Sequence, residues 1–427
     1  MRKLYRTTEQ LDSKKLAKFL AQEGQLLLPM LDLILNTESA VDEVIDVTGR
    51  AAIEAILLMS ATQVAGESHP GKKQGPLYRN GTQNGVVSLS ERKLRVSKPR
   101  LRHKETGEVS IPAYEALLTN SRLGQRILEI LMKGVSTRNY QEVLPAMAET
   151  VGVSKSQISR EFIEVSGQDL QSLCERHFAE KDILIVYLDG IQFGETHVIA
   201  ALGVDSKGNK HVLGIREGSS ENSEVVKDLL NDLVERGLDP KRKRLFIIDG
   251  SKALRKGINQ VFGSANPVQR CRNHKMVNVL GYLPKEQHDQ VRATMKAAFQ
   301  LDEKKGVARL NKLADWLEQD NPSAAASLRE GLSEMFTINR LGLPPSLRRC
   351  LGSTNVIESP NSGIRQKTRR VTHWQDGRMV LRWCASALLA TEKKFRKIMG
   401  HDDLWILAAK LDELNNGKSI ANQDEAA

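Results

Sequence analysis

The sequence predicts an α/β protein in which a mixed sheet is interrupted by an all-α insertion and preceded by a helical region. Two short, largely β-branched runs, residues 183–188 and 245–248, each end in Asp-Gly, at Asp189-Gly190 and Asp249-Gly250. Strand and helix patterns alternate around them, whereas residues 275–349 are helical and charged, including 291–299 and 307–317. Such alternation points to parallel strand pairs, whose carboxyl ends are where α/β sheets keep their chemistry.

At the start of the chain, Leu16, Phe19 and Leu20, then Leu31, Leu33 and Ile34, then Val44 and Ile45 recur at helical spacing within residues 11–58. Residues 66–85 turn to Gly, Lys, Pro and Asn without periodicity and read as a linker or exposed loop. Residues 86–102 mix β-formers with Arg92, Lys93, Arg95, Lys98, Arg100 and Arg102. That pattern suits a basic strand pair meeting phosphate, and equally a solvated charged hairpin. Between Gly134 and Glu164, the run Ser136-Thr-Arg-Asn-Tyr-Gln-Glu can cap one helix, Val151-Gly-Val makes a turn, and residues 154–163 form a second helix. This is a helix-turn-helix outline. Its second helix would present Lys155, Ser156, Gln157 and Arg160 to a major groove and turn Ile158 and Phe162 inward, although a plain helical hairpin shares the pattern.

Beyond Lys181 the expected elements are strands at 183–188, 197–202 and 210–215, a helix at 221–235, a strand at 245–248 and a helix at 251–261, with Val268 offering a fifth strand. Three strands, a helix and a fourth strand match an RNase H-like core. A third acid, Glu358, follows in Ser353-Thr-Asn-Val-Ile-Glu; Asp189 and Asp249 are 60 residues apart, and Asp249 and Glu358 are 109 apart. The longer interval exceeds one crossover, and the helical insertion accounts for it. The chain thus divides into an N-terminal helical region (1–77), a basic strand segment with the helix-turn-helix DNA-binding region (78–170), the first part of a catalytic core (181–274), the insertion (275–350), the second part of the core (351–400) and a C-terminal tail (401–427).

One Asp-Gly after a strand is more often a turn than a ligand. Two on neighbouring parallel strands would bring the carboxylates together, where both stay ionised only with cations between them. Mg²⁺ fits: it takes carboxylate, water and phosphate oxygens, and two such ions about 3.5 to 4 Å apart clamp both oxygens of an in-line displacement. The matching substrate is a phosphodiester. With 63 Lys and Arg against 52 Asp and Glu, a formal charge of +11 and a pI near 9.4, the chain's field favours a polyanion such as nucleic acid.

The 427 residues allow two to four domains, and 40% hydrophobic content excludes wholesale disorder. No apolar run reaches a membrane span; residues 26–35 come nearest and are broken by Pro29 and Asp32. The amino terminus turns polar where a signal peptide needs its apolar stretch, so a cytoplasmic location is expected. Cys174, Cys271, Cys350 and Cys384 are too scattered for a disulfide scaffold and read as reduced thiols.

Over most of its length the chain resembles the Mutator-type transposases of bacterial insertion sequences. The resemblance rests on Arg79-Asn-Gly, Gly134-Val-Ser-Thr-Arg, Leu188-Asp-Gly-Ile, Ile248-Asp-Gly-Ser-Lys-Ala-Leu, Val268-Gln-Arg-Cys-Arg-Asn-His-Lys and Ser353-Thr-Asn-Val-Ile-Glu-Ser. It implies an RNase H-like DDE transposase with Asp189, Asp249 and Glu358 as metal ligands, a helical insertion, and terminal inverted repeats as the DNA target. It also implies His274 as an active-site or orienting residue, since the Cys-x-x-His pair sits beside the core in that family. A route through donor cleavage and a circular element is implied as well.

Ser359-Pro360 departs from the Ser-Leu of many members. Because proline suits a helix start, Ser359 is expected as N-cap and Glu358 as the last residue before the helix. Cys271-x-x-His274 resembles half a zinc site but lacks a second pair at zinc-finger spacing. Trp316 reads either as a core residue or, as related families suggest, as a platform for an extruded base. Past Glu358, Arg365, Lys367, Arg369 and Arg370, then His373, Trp374 and Arg378, offer a basic face to a phosphate backbone, and some of these are simply solvated.

The expected chemistry is cleavage and strand transfer assisted by two Mg²⁺ or Mn²⁺ ions, with water and then a DNA 3′-hydroxyl as nucleophile and no covalent protein–DNA link. Double-stranded DNA, as inverted repeats and target, is the expected partner, and two element ends require a homodimer or larger assembly. The alternatives are a DNA-binding protein without catalysis, such as a domesticated transposase or repressor, and an RNase H-like nuclease that cuts without joining.

Overall fold

A computed structural model of the chain describes residues 39–66, 76–89, 92–118, 122–133, 155–218 and 222–417. Its residues group into two compact units, 39–130 with 155–162 and 131–133 with 163–417. The apolar repeats within 11–38 and the first helix of the expected helix-turn-helix lie outside the described residues.

In the first unit, helix α1 (Ser39–Ala65) places Ile53, Leu57 and Ala61 four residues apart on one stripe. That stripe packs on Val87, Leu94, Val96 and Leu101 of a hairpin, β1 (Leu77–Leu89) and β2 (Arg92–His103). A short β3 (Gly107–Val109) adds to β2, and helices α2 (Pro112–Leu118) and α3 (Arg122–Met132) follow. The basic strand pair expected over 86–102 is therefore present, but residues 77–85 are strand rather than linker. Their Asn and Gly carry little β-propensity, and cross-strand pairing overrides it: Tyr78 faces Arg102 and Asn84 faces Ser97, with a register shift between Arg79 and Thr82. Gly81, at φ 76°, supplies the left-handed turn that this bulge requires. Of the basic residues, Lys98 lies over the Tyr114 ring and Arg100 pairs with Glu108 at 3.5 Å, while Arg95 faces solvent.

Helix α4 (Lys155–Cys174) begins where the second helix of the helix-turn-helix is expected and runs eleven residues past 163, because the buried series Ile158, Phe162, Val165 and Leu173 continues the apolar period.

The second unit is built on a five-stranded sheet of β4 (Ile183–Phe193), β5 (Thr196–Asp205), β6 (Lys210–Gly218), β7 (Leu245–Ile248) and β8 (Val268–Arg270). In space the order is β6-β5-β4-β7-β8; the first three strands are antiparallel, and β7 and β8 run parallel to β4. Helices α5 (Ser223–Glu235) and α6 (Lys252–Phe262) cover one face. Leu229, Leu230, Leu254 and Ile258 meet Val186, Leu188, Phe246 and Ile248 there. Helices α13 (Asn355–Thr368) and α14 (Gly377–Glu392) lie against β4 and β6. Glu392 of α14 accepts the Val212 N–H of edge strand β6 at 2.7 Å and pairs with Arg176, which blunts that edge.

Between β8 and α13 the chain is helical throughout. It passes through α7 (Arg272–Leu280), α8 (His288–Gln300), α9 (Glu303–Glu318), α10 (Pro322–Arg329), α11 (Thr337–Arg340) and α12 (Pro345–Leu351), with short 3-10 turns. This segment buries its own core, which includes Val291, Met295, Leu310, Leu313, Leu317 and Phe336. Thr337 Oγ1 donates to Val268 O at 2.6 Å and Gln269 Nε2 to Met335 O at 3.0 Å, so the helices are tied to the last strand. The stretch expected as a tail instead carries helix α15 (Leu404–Asn415), which buries Leu404, Leu407 and Leu411; the Asn415 side chain accepts the Lys243 N–H at 2.8 Å. Among the described residues no helix is long and apolar enough to cross a membrane.

Candidate active site

Leu188, Ile248 and Arg270 are aligned across β4, β7 and β8. The next residue of each strand therefore stands in one row: Asp189, Asp249 and Cys271. Asp189 does not end its strand as the sequence suggests. β4 continues to Phe193 because β5 keeps pairing with it, and Asp189 marks only the end of the parallel pairing to β7. Leu188 points into the α5–α6 core, so alternation turns Asp189 to the opposite face, against α13. There Asp189 is 8% exposed, and its Oδ2 accepts a 2.6 Å hydrogen bond from Asn361 Nδ2.

Asp249 leaves β7 into a turn made by Gly250 at φ 117°, a conformation suited to glycine. Its Oδ1 accepts the Ser251 N–H at 2.8 Å, and Ser251 Oγ in turn caps α6 at Leu254 N. Asp249 is thus held by the start of the following helix, with partial exposure.

Glu358 enters from α13, and here the expected helix start is overturned. The helix begins at Asn355, so Glu358 lies in its first turn and Pro360 inside it, with Ser359 not the N-cap. Pro360 forgoes the helical hydrogen bond to the Val356 carbonyl, while Thr354 O accepts the Ile357 and Glu358 N–H groups at 2.9 Å and starts the helix upstream. The Thr354 hydroxyl, which does not cap the helix, donates to Glu358 Oε1 at 2.6 Å and lies 3.3 Å from His274 Nδ1.

Cys271 is fully buried and caps α7, its Sγ accepting the His274 N–H at 3.5 Å and the Thr354 N–H at 3.4 Å. One sulfur therefore joins the starts of α7 and α13. His274 Nε2 reaches within 3.7 Å of Glu358 Oε1, and potential ligand atoms of Cys271, His274 and Glu358 lie within 4.8 Å of one another. Among the described residues no second Cys/His pair joins them, so zinc-finger ligation is not assembled here.

Burial, opposed by the Asn361 hydrogen bond and the nearby His274, and reinforced by the charges of Asp249 and Glu358, raises the Asp189 carboxyl to about 6. His274 is raised to about 9, first by its hydrogen bond with Cys271, against its burial, and then by the negative charges of Cys271, Glu358 and Asp249. For Cys271, burial works upward, but the hydrogen bonds from His274 and Thr354 outweigh it and hold the thiol below its ordinary value. Asp189 and His274 thus each feel the charges of Asp249 and Glu358, while the tightest set of potential ligand atoms is that of Cys271, His274 and Glu358. A buried carboxylate such as Asp189, whose protonation is favoured by burial and by two neighbouring acids, is a donor that a hard divalent cation satisfies with oxygen ligands.

The remaining candidates lie elsewhere. Lys155 and Gln157 fall at the start of α4; further along it Arg160 is exposed, and Ile158 and Phe162 are buried as expected. Trp316 is 42% exposed and lies off the α9 core face of Leu310, Leu313, Ala314 and Leu317, which removes the core reading. Arg365, Arg369 and Arg370 are exposed, whereas Lys367 is drawn toward α14, its Nζ 3.5 Å from Thr391 Oγ1. Sequence reasoning misses Thr354 and Asn361. Their positions four before and three after Glu358 on one helix are a usable signal.

A model of transposases of the Mutator family matches residues 22–397 of the chain. The chain is 28% identical over 324 residues to the transposase of insertion sequence element IS406 from Burkholderia multivorans, covering 73% of this chain and 81% of that one. It is 25% identical over 414 residues to the transposase of ISRM5 from Rhizobium meliloti, covering 92% and 96%. A third relative, the transposase of IS6120 from Mycolicibacterium smegmatis, is 28% identical over 250 residues, covering 56% and 75%.

Proposed function

Because the chain belongs to the Mutator family of transposases, we propose that it is an RNase H-like DDE transposase that binds the terminal inverted repeats of its own element and carries out metal-dependent DNA cleavage and strand transfer. The observation that supports the reading is the alignment of Asp189 and Asp249 one residue past a parallel strand pair, with Glu358 of α13 near enough to Asp189 to act on it electrostatically. The spatial strand order, an antiparallel meander extended by two parallel strands, supports an RNase H-like core. The exposed Arg160 and the basic hairpin support a DNA-binding first unit.

In this reading Asp189, Asp249 and Glu358 hold two Mg²⁺ or Mn²⁺ ions. Bound there, such ions supply Lewis acidity that activates a water or a DNA 3′-hydroxyl and stabilises the leaving oxygen. The chain's own residues do the rest. Asn361 and Thr354 fix the Asp189 and Glu358 carboxylates by donating hydrogen bonds. Cys271 ties the two helix starts, and the protonated His274 sets a positive charge beside Glu358 and the substrate phosphate. Arg365, Arg369 and Arg370 meet the DNA backbone. Two element ends must be brought together, so the working form is a homodimer or larger assembly.

The test is a cleavage and joining assay on DNA carrying the element's own ends, with Mg²⁺ or Mn²⁺, comparing wild type with Asp189→Ala, Asp249→Ala and Glu358→Ala. End-specific nicking and joined product, lost in all three variants that still bind DNA, establishes the reading. End binding without metal-dependent cleavage would instead mark a non-catalytic DNA-binding protein, and cleavage without joining a nuclease.

A further inference from the structure

Asn361 lies three residues beyond Glu358 on α13, inside the helix and directly after Pro360. It is 1% exposed, and its side chain makes one bond, the 2.6 Å donation from Nδ2 to Asp189 Oδ2. Its carbonyl oxygen, Oδ1, is buried and has no hydrogen-bond partner among the described residues. As a purely structural residue Asn361 is a poor choice. Asparagine is a weak helix former, and burying an unpaired amide oxygen costs stability. The amide is kept for its one bond to the buried Asp189 carboxylate, at the cost of leaving its own oxygen unpaired. Natural proteins keep such local conflicts where function demands them.

We infer that Asn361 is a positioning residue of the site, a role that rests on the function proposed above. Its donated N–H occupies Oδ2 of Asp189, so one carboxylate oxygen is engaged by the protein and the other is left for a cation. The same helix carries Glu358 one turn earlier, so a single rigid element carries one acid and holds one oxygen of another. Hydrogen-bond partners of metal-binding carboxylates act in this way, and removing one typically weakens metal binding or activity about 10- to 100-fold. Asn361 touches neither substrate nor reacting atoms; it acts through Asp189.

The experiment uses the full chain and the variants Asn361→Leu and Asn361→Ala. Leucine matches the shape without the amide, and alanine keeps the test available if leucine does not fit. Thermal melting without metal, Mn²⁺ binding measured by electron paramagnetic resonance, and end cleavage are read in parallel. The expected result is that, in variants still folded at the assay temperature, Mn²⁺ affinity and cleavage rate both fall about 10- to 100-fold, beyond any loss of folded protein. Variants that bind Mn²⁺ and cleave like wild type overturn the inference alone, as do variants that lose cleavage with Mn²⁺ affinity unchanged or lose activity only in proportion to lost folding. A wild-type chain that takes up no Mn²⁺ overturns the proposed function, and this inference with it.

Discussion

Thr354 Oγ1 donates a 2.6 Å hydrogen bond to Glu358 Oε1 one helical turn later, from a residue whose own N–H is given to the sulfur of Cys271. Thr354→Val keeps the shape and removes the donor. Glu358 then loses its hydrogen-bonded support, and on the proposed function end cleavage is expected to fall about 10- to 100-fold, the usual cost where a carboxylate holds a metal. Stability is expected to fall by about 1 to 3 kcal/mol, because the buried hydroxyl both donates to Glu358 and lies 3.3 Å from His274 Nδ1. Thr354→Ser should retain most activity. Equal losses in both variants would exclude the hydrogen bond as the cause.

Asp189 makes the metal-free protein's stability depend on pH. Burial above all raises its carboxyl to about 6, so the native state holds a proton that the unfolded chain releases. The sign follows: the contribution is fully present below the ordinary aspartate range and is lost as pH rises through about 6. Asp189→Asn cannot ionise. It is expected to match wild type near pH 4 and to exceed it at pH 8, by at most on the order of 3 kcal/mol. Melting curves in a chelator across that interval check this, and a difference independent of pH would count against it.

Trp316 projects from α9 with 42% of its surface exposed. Trp316→Ala should leave the melting temperature close to that of wild type. If the ring stacks on a base near the cleavage point, binding of DNA with an unpaired base at the element end should weaken by about 1 to 3 kcal/mol. Binding of fully paired ends should change little. A fluorescence titration of both DNAs separates a stacking platform from an idle surface residue.

Gly306 lets α9 approach the ring of Phe336 so closely that a Cβ would overlap its edge. Gly306→Ala is expected to destabilise the insertion by about 1 to 3 kcal/mol through overpacking, despite the better helix propensity of alanine. Chemical denaturation would read the loss directly. A stabilised variant would mean that the ring shifts at little cost.

Much of the site is legible in the chain itself. The β-branched runs ending at Asp189 and Asp249 carry a period-2 or fully buried signal that local sequence expresses strongly, and all five strands of the sheet form where the pattern expects them or extend beyond it. The start of α13 is hidden for a local reason. Pro360 signals a helix start, but the backbone carbonyl of Thr354 already accepts two N–H groups upstream. Residues 77–85 look like a linker because strand pairing with 96–103, not the composition of the segment, decides their conformation.

The sequence by itself determined which residues were able to do chemistry: three acids at motif positions, a Cys-x-x-His pair, and a chain charged to meet a polyanion. It also determined that a helical segment separates the second acid from the third, because apolar periodicity is a local property. Only the tertiary structure decided how those groups meet. The register of β4, β7 and β8 puts Asp189, Asp249 and Cys271 in one row, and α13 brings Thr354, Glu358 and Asn361 against them. Contacts such as Asn361 with Asp189 join residues 172 positions apart. Packing and strand register set such contacts, and no local pattern encodes the distance between their ends.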